Sequence, residues 1–499
     1  MRLFEILVMA VNAILLINII LKRSSRTGNI ILPVLSMAFA ILSILSEGFR
    51  LFMVPAYMLT VFLLLHGVIR TIPKKSAAKR QVNRISKTAG TVTLILIFVI
   101  SVASAFLFPV IDLPKPTGSY PVGTTLAAFT DDSRKEPHTD SGEYRKIPVQ
   151  IWYPASDTAG KKRVNWLNSE KVSKIFAKCK HVPDIFGQLN LIKTNSYFDT
   201  GLSADKRKYP VILFSGGGAM FNGQNVIQME ELASHGYIVC AVGHPYDDFA
   251  CIYPDGSVIP YDPEHLDALG DDTGKAIDTA KGKLKAGDKD PEFDGYVIRS
   301  CSLNNSDAIH WSGDMSFVAD ELARLNGDDN GDMKDKTGEL QKLFVGRLDM
   351  SNLGIFGHSF GGATAGETCL RDNRFKAFIN MDGAPFGTAV DNVIRQPFMI
   401  LTVGKNIKRI ISGAYSADQK NFMIVYIEGA EHMNFSDFNT ILPNIGKLSG
   451  ILGSIDSNRQ RAIMNDYILA FFNKYLKGAT EPIIDSAASK YPEVTVEKR

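Results

Sequence analysis

The first 111 residues contain four apolar stretches, at residues 3–21, 29–46, 51–69 and 91–111. A helix needs about 20 mostly apolar residues to cross the hydrocarbon core of a bilayer. Each stretch is close to that length, and the second, which contains Pro33, is the shortest. The pattern predicts an all-α membrane domain of four transmembrane helices at residues 1–111.

Basic residues follow the first and the third of these stretches. Lys22, Arg23 and Arg26 follow the first, and seven more lie between the third and the fourth: Arg70, Lys74, Lys75, Lys79, Arg80, Arg84 and Lys87. The positive-inside rule places both loops in the cytoplasm. Both loops are cytoplasmic only if all four stretches cross the membrane. We therefore expect a multi-pass protein of the cell membrane, with the N-terminus and everything after residue 111 outside the cytoplasm. A cleaved signal peptide fits the first stretch poorly, because a small-residue cleavage site is missing and more apolar segments follow.

The charge of the remaining chain excludes several classes of protein. Residues 1–110 hold 12 of the 55 Lys/Arg and 2 of the 52 Asp/Glu, which leaves 43 basic and 50 acidic residues. No basic field is left that would attract nucleic acid. The five cysteines show no C-x-x-C spacing, and the acidic run at 328–335 does not fit the register of an EF-hand. We therefore expect no metal, no cofactor and no obligate protein partner.

Beyond a proline-containing linker at 112–120, apolar runs of strand length alternate with helical stretches. The pattern predicts strands at 147–153, 209–214, 237–242, 353–356, 375–381, 397–403 and 422–427, and helices at 224–235, 314–325, 361–370 and 459–476. Such alternation favours a mostly parallel sheet with helices on both faces and a site beyond the carboxyl ends of the strands. We expect this α/β domain at 121–478, with an insertion over the site at 255–346 and a C-terminal tail at 479–499.

A glycine-flanked serine follows one of the expected strands. Residues 357–361 read Gly-His-Ser-Phe-Gly and fit the pattern G-x-S-x-G, with Ser359 at the centre. An apolar strand leads in and a helix of small residues leads out, as a nucleophile elbow requires. The pattern predicts Ser359 as the nucleophile of a serine hydrolase. The alternative is a glycine-rich turn without chemistry.

A serine hydroxyl needs a base, and in the α/β-hydrolase fold an acid and then a histidine follow the serine along the chain. His432 is the one histidine after Ser359. Asp382 directly follows the strand at 375–381, and we expect it to orient the imidazole. His244 precedes Ser359 in the chain, so we expect it to line the pocket and not to act as the base. The alternative acids are Asp372, Asp391, Asp418 and Glu431.

The tetrahedral intermediate of ester hydrolysis needs two backbone N–H donors. One is expected from Phe360, the residue after the nucleophile, and the other from a loop after an earlier strand. The strand at 209–214 runs into Ser-Gly-Gly-Gly-Ala at 215–219, where glycines let the backbone approach an oxyanion. A phosphate cradle is excluded because the pattern GxxxxGK is absent.

Several segments together resemble the platelet-activating factor acetylhydrolase family of the α/β-hydrolase superfamily, which includes the plasma and type II enzymes and bacterial relatives. The likeness is carried by residues 151–154, 214–221, 232–239, 346–349, 357–363, 381–382 and 432–438. It covers roughly residues 120–476. One departure is Gly216-Gly217, where the family usually has His-Gly.

The resemblance implies a triad of Ser359, Asp382 and His432, with Gly218 and Phe360 as the N–H donors. It also implies hydrolysis of short or oxidised acyl esters, on a small-molecule or lipid substrate, without calcium. Two other functions remain open at this point. An acyltransferase would use the same triad with an alcohol in place of water, and a non-catalytic scaffold or receptor would keep the fold alone.

Overall fold

The computed structural model describes the chain except for residues 1, 24, 26, 72–83, 168, 182–185, 285–289, 328–336, 404–418, 487–489 and 499. The acidic run at 328–335 and Asp418 therefore lie outside the described residues. The chain divides into two compact units. The first comprises Met1–Asp112, Ile185–Ile192 and Ile441–Ile445, and the second comprises Leu113–Asp184, Lys193–Thr440 and Gly446–Arg499.

The first unit is helical. Its α-helices are α1 (Leu3–Ile20), α2 (Leu32–Leu42), α3 (Val54–Thr71) and α4 (Arg84–Leu107). Single π-helical turns at Thr27–Ile31 and Ser43–Glu47 flank α2, and short 3-10 helices lie at Leu51–Met53 and Phe186–Leu191. Pro33 stands in the first turn of α2, directly after the π-helical turn at Thr27–Ile31.

Four described helical segments are long and apolar enough to cross a membrane: Leu3–Ile20, Gly28–Glu47, Leu51–Thr71 and Thr88–Leu107. Many of their large apolar side chains are exposed, among them Leu45 at 78%. Polar side chains are buried between these helices instead. The amide of Asn12 donates to Thr60 Oγ1 at 2.9 Å, and the hydroxyl of Ser36 donates to Asn12 Oδ1 at 2.8 Å.

The second unit is built on a sheet whose eleven strands have the order β13-β12-β11-β10-β9-β5-β6-β2-β1-β4-β3. The strands are β1 (Val122–Lys135), β2 (Tyr144–Pro154), β3 (Arg163–Asn165), β4 (Lys193–Phe198), β5 (Tyr209–Ser215), β6 (Ile238–Val242), β9 (Leu348–His358), β10 (Phe375–Met381), β11 (Phe398–Thr402), β12 (Phe422–Ile427) and β13 (Val494–Lys498). The six strands from β12 to β6 are parallel, and β2 pairs antiparallel with β6. Strands β7 (Ala250–Ile252) and β8 (Val258–Pro260) form a separate hairpin.

All seven predicted strands are present, and four strands at the sides of the sheet, β1, β3, β4 and β13, were not predicted. Every residue of β5 is buried, as expected of a central parallel strand that is covered on both faces. In β1 buried and less buried positions alternate along part of the strand, and its one apolar run, residues 126–129, is short and flanked by polar residues. Strand β13 lies in the segment expected to be a tail, and it pairs antiparallel with β12.

The remaining described helices are α5 (Glu170–Cys179), α6 (Val226–Ser234), α7 (Pro263–Lys283), α8 (Pro291–Ser300), α9 (Ser302–Asn326), α10 (Thr337–Phe344), α11 (Phe360–Arg371) and the helices Phe438–Ile441, Pro443–Leu448, Ser457–Lys477 and Pro482–Asp485, of which residues 441–445 belong to the first unit. Ile355 belongs to the core cluster that includes α9 and α11, whereas the neighbouring Phe356 contacts Phe472 of the last long helix. Successive side chains of a strand point to opposite faces, so helices pack on both sides of β9. The predicted α/β-hydrolase fold preceded by a helical region is confirmed.

Candidate active site

Ser359 stands in a sharp turn between β9 and α11. Its φ of +56° is in the left-handed region, which few non-glycine residues adopt and which often marks a functional site. The turn is tight because a Cβ on Gly357 would lie 2.1 Å from the carbonyl oxygen of Gly361. The Ser359 N–H donates to the carbonyl of Met381 at 2.8 Å, which ties the turn to the end of β10. The local sequence thus holds the serine in the geometry of a nucleophile elbow.

Asp382 and His432 follow the ends of β10 and β12 and contact each other. His432 Nδ1 donates to Asp382 Oδ2 at 2.6 Å. The other carboxylate oxygen accepts from Thr402 Oγ1 at 2.7 Å and from the Val403 N–H at 3.3 Å. These donors hold the carboxylate in one orientation, so the imidazole is positioned by a buried and well-bonded acid.

Ser359 lines the same cavity as His432, although no hydrogen bond joins the two side chains among the bonds of the described residues. Catalytic hydrogen bonds are often long before substrate binds and tighten in the complex. The three predicted triad residues therefore meet at one end of the sheet, with the acid–histidine contact already formed.

The loop at 215–219 lies beside the elbow. A Cβ on Gly217 would lie 3.3 Å from the Cβ of Ser359, so the loop backbone approaches the nucleophile closely. Gly218 and Phe360, the two predicted N–H donors, both line the cavity. An oxyanion hole needs backbone donors beside the reacting carbonyl, so both residues remain candidates for that role.

Gln224 holds this loop against the elbow, a role that the sequence did not suggest. Its Oε1 accepts from the Gly217 N–H at 2.9 Å, and its Nε2 donates to His358 Nδ1 at 2.8 Å. His358 Nε2 then donates to the carbonyl of His432 at 3.1 Å. Burial, and then the neighbouring His432, lowers the pKa of His358 to about 3, so this imidazole is neutral. One chain of hydrogen bonds thus connects the loop, the residue before the serine and the histidine.

The cavity has a volume of about 660 Å³. The insertion supplies much of its wall: Asp262, His265, Leu266, Leu269, Gly270, Thr273, Asn304, Asp307 and Trp311. Its described lining contains four aspartates and no Lys or Arg. The wall is therefore partly apolar and partly acidic.

His244, the alternative histidine, is fully buried behind this wall. Its Nδ1 donates to Asp314 Oδ2 at 2.8 Å, and its ring stacks on Trp311 with a centroid distance of 3.8 Å. Burial lowers its pKa. His244 is absent from the described lining of the cavity, so it supports Trp311 instead of facing a substrate.

Three of the alternative acids are engaged elsewhere or not paired with the histidine. Asp372 accepts from Arg374 Nε at 2.9 Å, and Asp391 accepts from Arg299 Nε at 2.8 Å. Glu431 stands at the start of the 3-10 turn that carries the histidine, and its N–H donates to an asparagine side chain. The contact with His432 Nδ1 is made by Asp382.

The sequence matches the family model described as platelet-activating factor acetylhydrolase, isoform II, over residues 106–254 and 324–484. The chain belongs to this family. The match includes the elbow, Asp382 and His432, and it leaves out residues 255–323 of the insertion. Members of this family are ester hydrolases, and the chain is a carboxylic ester hydrolase.

Two curated relatives illustrate the range of the family. A platelet-activating factor acetylhydrolase of Cavia porcellus is 28% identical over 382 residues, which cover 73% of this chain and 78% of the relative. A probable 1-alkyl-2-acetylglycerophosphocholine esterase of Arthroderma benhamiae is 23% identical over 438 residues, which cover 79% and 94%.

A solved structure supports the fold. The ferulic acid esterase of Streptomyces cinnamoneus superposes with a TM-score of 0.57 at 24% identity, over 78% of this chain and 99% of that one. At this identity the likeness shows a shared fold and leaves the substrate open.

Proposed function

We propose that this chain is a membrane-anchored serine esterase, with Ser359 as nucleophile, His432 as general base, Asp382 as the orienting acid, and the N–H groups of Gly218 and Phe360 as the oxyanion hole. The observation that carries the proposal is the 2.6 Å hydrogen bond from His432 Nδ1 to Asp382. With Nδ1 donating, Nε2 is the ring nitrogen that accepts the serine proton.

The reaction has two half-reactions. Ser359 Oγ attacks the ester carbonyl while His432 takes its proton, and the C–O bond to the alcohol breaks as the imidazolium returns that proton to the leaving oxygen. Water then attacks the acyl-enzyme by the same route and releases the acid. Asp382 stabilises the imidazolium in both steps, and the two N–H groups bind the negative oxygen of each tetrahedral intermediate.

The substrate that we propose is a short or oxidised acyl ester of a lipid, such as an acetylated glycerophospholipid. Family membership supports this class, and so does a cavity lined by Leu266, Leu269 and Phe386 next to polar groups. A series of p-nitrophenyl esters and phospholipids of increasing acyl length tests it. Activity should fall as the acyl chain lengthens, and a preference for long chains would contradict the proposed class.

The test of the triad is Ser359→Ala in the purified full-length protein. Without the nucleophile, hydrolysis of p-nitrophenyl acetate should fall about 1,000-fold or more, and a fluorophosphonate probe should no longer label the chain. A matched control is Ser351→Ala, which changes another serine of β9 whose exposed side chain bonds to Asp349. Unchanged hydrolysis by Ser359→Ala refutes the assignment, and failure of the wild type to react with the probe favours a non-catalytic scaffold.

The anchoring rests on the four helical segments and on the basic residues around them. In this proposal all four cross the bilayer, the loops after α1 and α3 are cytoplasmic, and the second unit is extracytoplasmic. The five cysteines are buried and unpaired, so an introduced cysteine reports its own position. On intact cells an impermeant maleimide should label Ser141→Cys in the second unit and spare Arg23→Cys. The reverse pattern would overturn the orientation.

A further inference from the structure

Two histidines and a buried aspartate converge on the acidic side of the cavity. His138 lies between β1 and β2, Asp247 follows β6, and His265 lies in the first turn of α7. Their ligand atoms all lie within 4.8 Å of one another. The triad and the oxyanion loop use none of these side chains.

The distances suit one tetrahedral ion. Asp247 Oδ1 is 3.4 Å from His138 Nε2 and 3.6 Å from His265 Nε2. Two ligands that are each 2.0–2.1 Å from a tetrahedral Zn²⁺ lie about 3.3 Å apart. Asp307 Oδ2 lies 2.7 Å from His265 Nε2 but outside the group of mutually close ligand atoms, so it has to move toward the ion to serve as fourth ligand.

The groups behind these atoms are arranged as in metal sites. His138 Nδ1 contacts the carboxylate of Asp262 at 3.3 Å, which directs Nε2 toward the cluster. Trp311 Nε1 donates to Asp247 Oδ2 at 2.9 Å, which leaves Oδ1 directed at the two imidazoles. Metal-bound histidines almost always donate their second nitrogen to a carboxylate, a backbone carbonyl or water, and ligating carboxylates are themselves hydrogen-bonded.

We propose that His138, Asp247 and His265, with Asp307 as fourth ligand, bind a divalent transition-metal ion of the Zn²⁺ type in the cavity wall. Two imidazole ligands favour zinc and its neighbours over Mg²⁺ and Ca²⁺, which prefer oxygen ligands. The site goes beyond the proposed esterase function, because it contributes no group to the acyl transfer.

The ion has a structural consequence. His265 and Asp307 belong to helices α7 and α9 of the insertion, in the part of the chain that the family model does not match. His138 and Asp247 belong to segments that border the sheet. One ion therefore ties the insertion helices to the sheet and neutralises an acidic part of the cavity wall.

The test uses the full-length protein in detergent, stripped with a chelator and titrated with ZnCl₂ or CoCl₂. The wild type should bind one equivalent of either ion, show the intense visible absorption of tetrahedral Co²⁺, and unfold at a higher temperature with Zn²⁺. His138→Ala and His265→Ala should weaken Zn²⁺ binding about 100-fold or more, since even outer-shell changes cost about 10–100-fold. Asp262→Asn, which keeps the helix cap of α7, should weaken it about 10-fold.

His235→Ala is the matched control, because it removes a histidine of the same unit that lies outside the cluster and should leave Zn²⁺ binding unchanged. Ser359→Ala should also bind Zn²⁺ like the wild type, so failure of the esterase assignment and failure of the metal site are distinguishable. A wild type that binds neither ion overturns the proposal and makes the cluster an ion-pair network. A Zn²⁺ affinity equal to that of the wild type in both histidine variants overturns it as well. The wild-type Co²⁺ spectrum and the rise in unfolding temperature decide the case even where a variant fails to fold.

Discussion

The two units expose different kinds of side chain. In the first unit many large apolar side chains are exposed, and polar side chains such as Asn12, Ser36 and Thr60 are buried between the helices together with two apolar clusters. In the second unit the apolar side chains form the core around the sheet. The first arrangement is stable in a solvent that is itself apolar, and the second requires water outside.

The second unit also buries charge, and one of its buried networks pairs acids with an arginine. Arg145 donates twice to Asp314, at 2.9 and 2.8 Å, and twice to Glu136, at 3.1 and 3.0 Å. Asp314 in turn accepts from His244, which stacks on Trp311 of the cavity wall. Burying such charges is costly unless each has its partner. The contrast indicates that buried polarity in the first unit joins helices, whereas in the second unit it supports a site.

The largest expected effect is that of Arg145→Met, which removes the buried ion pairs of Arg145. Methionine keeps much of the apolar stem but leaves Glu136 buried without its cation and Asp314 with Arg134 alone, so the free energy of unfolding should fall by about 3–5 kcal/mol. Denaturant titration followed by tryptophan fluorescence measures it. The control Arg324→Met removes a surface arginine that is 45% exposed and pairs with Glu321, and it should change stability by about 0.5 kcal/mol at most. Equal losses of unfolding free energy in Arg145→Met and Arg324→Met would show that burial of an ion pair does not increase its contribution to stability.

The second prediction concerns acid stability and His358. Its pKa is lowered to about 3 in the folded chain and returns toward 6.5 on unfolding. The unfolded chain therefore takes up the proton first, and stability falls as the pH drops from 6.5 toward 3. At pH 4.5 this one group should cost about 2–3 kcal/mol relative to neutral pH.

His358→Gln removes the titratable imidazole and keeps a side-chain N–H that can donate to the His432 carbonyl. Its stability should decline less steeply between pH 6.5 and 4.5, as measured by denaturant midpoints at several pH values. His235→Gln, at a histidine whose side chain is 30% exposed, is the control and should follow the wild type. Parallel curves for wild type and His358→Gln would exclude this histidine as the source of acid sensitivity.

The smallest expected effect is in the first unit. Asn12→Leu removes the hydrogen bonds to Ser36 and Thr60 and should cost about 0.6–1.7 kcal/mol, because interhelical hydrogen bonds in membranes are modest. Unfolding in mixed micelles measures this cost, and esterase activity should be unchanged. Thr93→Val is the control, since Thr93 bonds within its own helix. A loss of esterase activity in Asn12→Leu would show that the two units are not independent.

Local patterns in the sequence were enough for the fold class, the family and the ester hydrolase activity. Buried parallel strands such as β5 are continuous apolar runs, and the elbow at Ser359 is encoded by the adjacent residues 357–361. His432 was predicted as the base because chain order in this fold restricts the base to a position after the serine. Strand β1 is mostly polar apart from a short apolar run at 126–129, and β13 is stabilised by pairing with β12, so local patterns did not predict either.

Contacts between distant residues were decided by the tertiary structure alone. Gln224 reaches His358 across 134 positions, and His138 meets Asp247 and Asp262 from a different part of the chain. No periodicity marks such partners, because a side chain's neighbours across the sheet depend on strand order and on where each loop turns. The sequence therefore determined which residues had the chemistry to react, and the packing of the sheet and its insertion decided which side chains orient them and which gather into a second cluster.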